Sequence, residues 1–403
     1  MMRSMYAGVS GLRTHQFMID VTANNIANVN TPGFKASRVR FTDVLSQQLE
    51  GTGGATALTP LQVGLGVRID STSLVFTQGA SQLTERSLDI AIEGNGFLIT
   101  RAPEGILYTR LGSLAFDRDG FLIDAQGGNI QGWSGQPGED VETNVPPSDV
   151  QLIQAGTIPP EPTQTVTLDG NLSVGEEDGE TIVSGIEVVD QLGAQHRITV
   201  EFTKVSDGNW TVDTFDEDGN SLSGGPQAVT FDALGALTGP TDITAQIPGD
   251  PGQTYTIELS HTNGELTQFG TETTYRVDDQ DGVLPGTLQA FRFSDEGFII
   301  GVYDNGQSRN LAAIALATFD NPSTLLKAGE NRFQANPDAG PPNIGLPGDG
   351  GRGTISAGTL EMSNVDLARE FTDLIVAQRG FQANSRVITT SDELIQELVN
   401  LKR

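Results

Sequence analysis

Acid–base or metal chemistry in this chain of 403 residues would have to start from three histidines, His15, His196 and His261, and from its 52 aspartates and glutamates. The histidines are far apart in sequence, and no pair has a local metal-ligand spacing. Asp216, Asp218 and Asn220 resemble the opening of a calcium loop. However, the glycine stands at Gly219, where the motif wants it one place after the third ligand, and no glutamate closes the loop, so an acidic turn is the expected reading. Neither a Gly-x-Ser-x-Gly elbow nor a Walker-type phosphate loop occurs. There is no cysteine, which removes thiolate nucleophiles, disulfides and Cys-based zinc sites together. Carboxylates are too numerous to single out a glycosidase pair. These residues point to no catalytic, cofactor-binding or metal residues, to no cofactor, and to a protein that is not an enzyme.

The charge has a pattern of its own. The formal net is −29, and residues 146–284 hold 24 acidic side chains against only Arg197, Lys204 and Arg276. Residues 1–40, by contrast, carry Arg3, Arg13, Lys35, Arg38 and Arg40 against Asp20 alone. An acidic surface of this size disfavours nucleic acid and anionic membranes as partners and favours a solvated exterior. No run approaches the ~18 apolar residues of a membrane span. The segment from Arg3 to Ile26 is amphipathic, with Asn24 and Asn25 where a signal peptide needs an unbroken apolar run. Export, if it occurs, is expected to use another route.

The elements that would carry these residues are of two kinds. At the start, Met5, Leu12, Ile19 and Ile26 recur every seven residues, which predicts a helix with a heptad seam. At the end, Leu360, Leu367, Leu374, Phe381, Ile388 and Ile395 keep the same spacing, and at ~1.5 Å per residue a helix from Leu360 would reach ~60 Å. The positions interleaved with each seam are largely polar, so each helix needs neighbours to lie on. One intramolecular helical hairpin would also use both seams.

Between the helices, short alternating runs bounded by Gly, Asp and Asn predict strands. Phe116-Asp117-Arg118-Asp119-Gly120 is echoed by Phe215-Asp216-Glu217-Asp218-Gly219 and Phe293-Ser294-Asp295-Glu296-Gly297. Each reads as an aromatic strand end entering an acidic turn in which glycine supplies positive φ. Phe121-Leu122-Ile123 and Phe298-Ile299-Ile300 follow the first and third copies in the same register. The expected fold is mainly β with α-helical termini, with nested β domains and a terminal coiled-coil-like helical region. In this division, 1–28 plus 360–403 are the terminal helices and 29–71 is a linker region. Residues 72–145 plus 285–357 form an inner β domain, and 146–284 an inserted acidic outer β domain.

Ala23-Asn24-Asn25-Ile26-Ala27-Asn28-Val29-Asn30-Thr31-Pro32-Gly33-Phe34-Lys35 resembles the signature of the flagellar rod and hook axial proteins. Gly358-Thr359-Leu360-Glu361-Met362-Ser363-Asn364-Val365-Asp366-Leu367, continuing through Gln378-Arg379-Gly380-Phe381, resembles the C-terminal signature of the same family. Leu88-Asp89-Ile90-Ala91-Ile92-Glu93-Gly94-Asn95-Gly96-Phe97 is similar to a segment of hook and distal rod subunits. The insert at 146–284 favours the hook subunits. Thr31-Pro32-Gly33 and the stretch Ser46 to Gln62 resemble rod proteins and keep the distal rod as the alternative. A secreted β-rich binding module or adhesin is the rival from another class.

The resemblance implies a helical homopolymer with the terminal helices forming the inner tube, with 29–71 ordered on assembly, and with the tube coupling motor and rod torque to the filament as a flexible joint. It implies an extracellular place on the flagellum. It also implies type III export without a cleaved signal peptide. The implied partners are the rod, hook cap and hook–filament junction proteins, the export apparatus and a length-control protein. It implies no membrane insertion. The assembly residues it points to are Met5, Leu12, Ile19, Asn24, Asn25, Ile26, Asn28, Thr31, Gly33, Phe34, Leu367, Leu374, Phe381, Ile388 and Ile395.

Overall fold

A computed structural model describes residues 2–44, 47–49, 61–135, 141–152, 156–248, 250–261 and 264–400. The architecture is mainly β between two terminal helices, α1 (Met2–Ala27) and α2 (Leu367–Asn400), as the sequence predicts. α1 ends where its sequence competes for backbone bonds. The Asn28 N–H reaches back to the carbonyls of Asn24 and Asn25, its side chain bonds the Asn24 carbonyl, and Pro32 and Gly33, at φ 70°, turn the chain. α2 starts at Asp366, whose Oδ1 accepts the N–H groups of Ala368 and Arg369 as an N-cap.

The start of the second helix corrects the expectation. Leu360 lies in the strand Thr359–Glu361, paired with Ser81–Leu83, so the helix begins seven residues later than the seam. The backbone here is consumed by a β ladder before Asp366 can cap a helix.

A 14-stranded sheet combines strands from both sides of the acidic insert. Asn129–Ser134 pairs with Ser308–Ile314, and Phe97–Ala102 pairs with Leu316–Thr318. The three acidic corners are tight turns whose glycines, Gly120, Gly219 and Gly297, have φ of 81°, 84° and 83°. Two apolar clusters fill this region. One centres on Ile90, Leu98, Leu122, Ile130 and Ile299, the other on Phe97, Tyr108, Trp133 and Phe333. Ser148–Asp149 pairs with Asn129–Ser134, Thr157–Ile158 pairs with Gly286–Phe293, and Val150 and Leu152 are buried in the first cluster. Ser148–Asp149, Val150, Leu152 and Thr157–Ile158 therefore belong to the inner region, and the edge read at 146 moves past Ile158, because these short strands complete its ladders. The return crossing falls between Val283, bridged to Glu161, and Gly286.

The outer part stacks a four-stranded meander, Thr181–Val189 to Gln227–Thr230, on a sheet centred on Thr165–Asn171. Val166, Leu168, Ile198, Val200, Phe202, Trp210, Tyr255 and Ile257 form the core between them. Strict alternation produces it: in Gln195–Ser206, Ile198, Val200, Phe202 and Lys204 are buried, with half-buried residues between.

Residues 29–71, read as a linker, contain regular structure. β1 (Ser37–Asp43) pairs antiparallel with β2 (Val67–Leu74) along their whole length. Part of the Ser46 to Gln62 stretch lies outside the described residues.

Candidate functional site: the joint between the terminal helices and the inner β domain

The helices form an antiparallel pair, because Gly8 faces Ile388, Gly11 faces Asn384 and His15 faces Gly380. Small residues set the approach. A Cβ at Gly11 would stand 2.7 Å from the Asn384 side chain, and one at Gly380 would stand 2.5 Å from the His15 ring. Gly11→Val is accordingly expected to force the helices apart at a cost of about 1–3 kcal/mol. Measured as helix content during tube formation, it should exceed the effect of Val at exposed Ala23; equal effects would contradict close packing at this crossing.

Within one chain the seam residues are only partly covered. Met5, Leu12, Ile19, Ile26, Leu374, Ile388 and Ile395 are half-buried, while Leu367 and Phe381 are 40% and 37% exposed. The buried positions are Gly8, Gly11, Thr14, Thr22, Asn25, Ala377 and Ser391. One antiparallel partner covers a stripe of small and polar residues and leaves Tyr6, Phe371, Ile375, Val376 and Leu394 uncovered. Within one chain, then, the structure adopts the helical hairpin, and that hairpin does not satisfy its own apolar surface.

The signature residues gather at the foot of the pair. Asn25 is buried; its Nδ2 donates to the Ser37 carbonyl at 2.9 Å and to Glu370 Oε2 at 3.2 Å, and its Oδ1 accepts the Ser37 N–H at 3.0 Å. Burial pushes the Glu370 carboxyl above its usual range. Thr31 Oγ1 donates to Asn28 Oδ1, and the Asn24 side chain is exposed. The Gly33 N–H donates to the Glu361 carbonyl at 2.7 Å, and a Cβ there would stand 3.1 Å from the Leu111 backbone. Phe34 is buried beneath the Lys327 ammonium, 4.7 Å from its ring centroid.

At the centre lies a buried ionic triad that the sequence-based assembly set lacks. Lys35 Nζ donates to Glu361 Oε1 at 2.6 Å and to the Thr77 carbonyl at 2.8 Å. Arg110 Nη1 donates to Glu361 Oε2 at 3.4 Å, and its Nη2 to the Gly94 carbonyl at 2.8 Å. The Gly79 N–H also donates to Glu361 Oε1, at 2.8 Å. The side chains of Lys35 and Glu361 are 0% exposed and that of Arg110 is 3%. Burial pushes Lys35 and Arg110 below their ordinary pKa values, although hydrogen bonding and attraction to Glu361 pull both back. One carboxylate thus ties the segment after α1, the segment before α2 and the inner β domain together. The available signal was that Lys35 and Glu361 are charged residues inside two signatures otherwise rich in small, apolar and amide side chains.

The other chemistry-bearing residues are dispersed. His15 lies in α1, His196 Nε2 stands 3.2 Å from Asp190 Oδ2, and His261 lies in the strand Ser260–His261. The Asp216 carboxylate accepts the Asn220 N–H and closes its own turn, and hydrogen bonds from Asn220 hold it below the usual carboxylate range. Among the described residues no three His, Asp or Glu side chains converge as a metal site, and no helix is long and apolar enough to cross a membrane.

Four family models match in order along the chain: flagella basal body rod protein at residues 5–35, flagellar hook protein FlgE/F/G D1 domain at 91–206, flagellar basal body protein FlaE D2 domain at 175–283, and flagellar basal body rod FlgEFG protein C-terminal at 356–401. The match that decides between hook and rod spans the whole chain, at 37% identity to the flagellar hook protein FlgE of Borreliella burgdorferi, with 100% of each chain covered. The chain belongs to the flagellar hook protein family. The hook protein FlgE of Treponema pallidum is likewise 37% identical over 100% of both chains, and that of Escherichia coli 31% over 98% of both. The crystal structure of the Helicobacter pylori flagellar hook protein FlgE2 shares the fold with a TM-score of 0.54 at 14% identity, covering 70% of this chain and 100% of that one. These full-length relatives carry the hook side of the expectation; the distal-rod alternative and the secreted binding module are not what they are named for.

Proposed function

We propose that this chain is the structural subunit of a flagellar hook, a helical homopolymer in which the terminal helices line the inner tube and the β domains face outward. The observation that carries this reading is the uncovered apolar surface of the antiparallel helix pair, held to the β domains by the Lys35–Glu361–Arg110 triad. Helices with Phe371, Ile375 and Leu394 open to solvent reach their lowest free energy when copies of the same pair cover them. The proposed units are the helix pair, an inner β domain from both sides of the insert, an outer acidic β domain, and the region 29–71, whose β1–β2 ribbon packs on α1. The role is mechanical and not enzymatic: polar, acidic outer faces slide under bending while the inner contacts persist.

The proposed place is outside the cell, on the hook, reached by export through the flagellar type III apparatus. The partners are further copies of the chain, the rod, the hook cap, the hook–filament junction proteins and a length-control protein. The assembly set is the seam and signature residues together with Lys35, Arg110 and Glu361.

Electron microscopy after salting out with sulfate, which strengthens apolar burial, tests the reading. Full-length chain should form curved tubes, and a version lacking residues 1–30 and 360–403 should form none. Straight tubes would indicate a rod subunit, and dispersed monomers from both would contradict the polymer reading.

A further inference from the structure

β1 and β2 form an amphipathic ribbon. Alternate residues of β1 share a face, so Arg38 and Arg40 stand on one side with Ser73 and Ser71, and Arg68, opposite Thr42, joins them. The other side offers Val39, Phe41, Val67 and Ile69 to α1, where Phe41 meets the His15 ring edge-on at 6.2 Å and Ser10 Oγ accepts the Val67 N–H. All three arginines are exposed, and among the described residues none of them forms an ion pair.

What sets Arg38, Arg40 and Arg68 apart is that the ribbon gathers three exposed arginines on one face of a chain with 52 acidic and 23 basic side chains. Elsewhere the buried cations are engaged, Lys35 and Arg110 with Glu361, Arg332 with Asp124 and Lys204 with Asp207, whereas exposed Arg13, Arg118 and Arg379, like the three of the ribbon, form no ion pair among the described residues. Three exposed arginines on one face of a ribbon present an acidic partner with a ready target, although Arg38 also lines a cleft with Asp366, Glu370 and Asp373 of its own chain.

We propose that the Arg38–Arg40–Arg68 face docks on the acidic surface of a second copy of this chain, as an electrostatic clasp beside the helical contact. The proposal rests on the polymer reading above. Two features favour a copy as the occupant. The ribbon packs on α1, whose partner α2 carries the uncovered apolar residues, so the arginines stand at the margin of the surface through which copies would meet. The helix pair that a copy brings carries exposed acids, Asp392, Glu393 and Glu397 of α2, which are the complement of the clasp. Exposed charges of this kind set register and approach more than total affinity, and salt weakens them.

The test compares wild type, R38E/R40E/R68E and R38Q/R40Q/R68Q by the critical concentration for tube formation in about 50 mM and about 500 mM sodium chloride, which moves the Debye length from beyond to well below 10 Å. The charge-reversed chain should need about tenfold more protein at low salt, the neutral chain should fall between, and the gap should close at high salt. Equal critical concentrations for all three would overturn the clasp. So would a gap that salt leaves unchanged, since that would report altered packing.

Phosphatidylglycerol vesicles provide a second arm. Binding by wild type and not by the reversed chain, with assembly unchanged, would assign the face to a membrane surface and overturn the proposal. A wild type that makes no tubes would remove the polymer reading and the clasp with it, whereas tubes from all three chains remove only the clasp. Unchanged melting of the inner transition, which reports the joint that carries the ribbon, checks that the variants fold.

Discussion

Glu361→Gln is expected to abolish tube formation while the outer β domain keeps its fold. Glu361 is the only acid among three fully buried charged side chains, and its two oxygens accept from Lys35, Arg110 and the Gly79 N–H. The amide preserves shape but removes the negative charge, leaving an ammonium and a guanidinium facing each other without a counterion. Breaking a buried ion pair from one side costs about 3–5 kcal/mol, a large part of the stability of an ordinary domain. The loss falls where both terminal segments meet the inner sheet, so the helices lose their anchorage. Calorimetry should show the inner transition lowered or lost and the outer one unmoved, and microscopy should show no tubes. Normal tubes from Glu361→Gln would mean the triad does not hold the joint. Lys35→Met, which leaves Glu361 paired with Arg110, should be milder.

Phe202→Ala should do the converse. Phe202 is fully buried between the outer sheets, edge-on to Tyr275 at 5.2 Å, and Tyr275 Oη donates to the Val200 carbonyl at 3.1 Å. Truncating a buried phenylalanine removes apolar contact and leaves a cavity, costing about 3–5 kcal/mol. That core draws its buried residues from 166–266 alone and shares none with the inner clusters. The outer transition should therefore fall while the inner one holds, and tubes should still form with a thinner or disordered outer layer. A variant that loses both transitions together would show that the two β regions fold as one unit.

The two variants separate what was legible in the sequence from what was not. Helical ends, a β interior and the acidic hairpin corners follow from local rules: seven-residue spacing, alternation, and Asp and Gly at turns. The contact within the helix pair was not legible, because spacing identifies an apolar stripe without saying which stripe a particular neighbour covers. Here Gly8, Gly11 and Gly380 win, since backbone approach is closest where side chains are absent. The ribbon of β1 and β2 was hidden by the glycines between its strands, although Arg38-Val39-Arg40-Phe41 and Val67-Arg68-Ile69 alternate plainly. The edge at 146 slipped because Ser148–Asp149 and Thr157–Ile158 are too short to carry a periodic signal and exist only through pairing.

By itself the sequence determined that this protein has an acidic, cysteine-free, mainly β body between two amphipathic ends, and its signatures placed it among flagellar axial proteins. Composition and short-range spacing carry that information because turns, strands and helices are set by neighbours a few residues away. Only the tertiary structure decided that Lys35 meets Glu361 across 326 residues and Arg110 meets it across 251. No local pattern encodes such a meeting. Long-range pairing of charges depends on which segments the folded sheets bring together, and burial then makes one carboxylate indispensable to two cations.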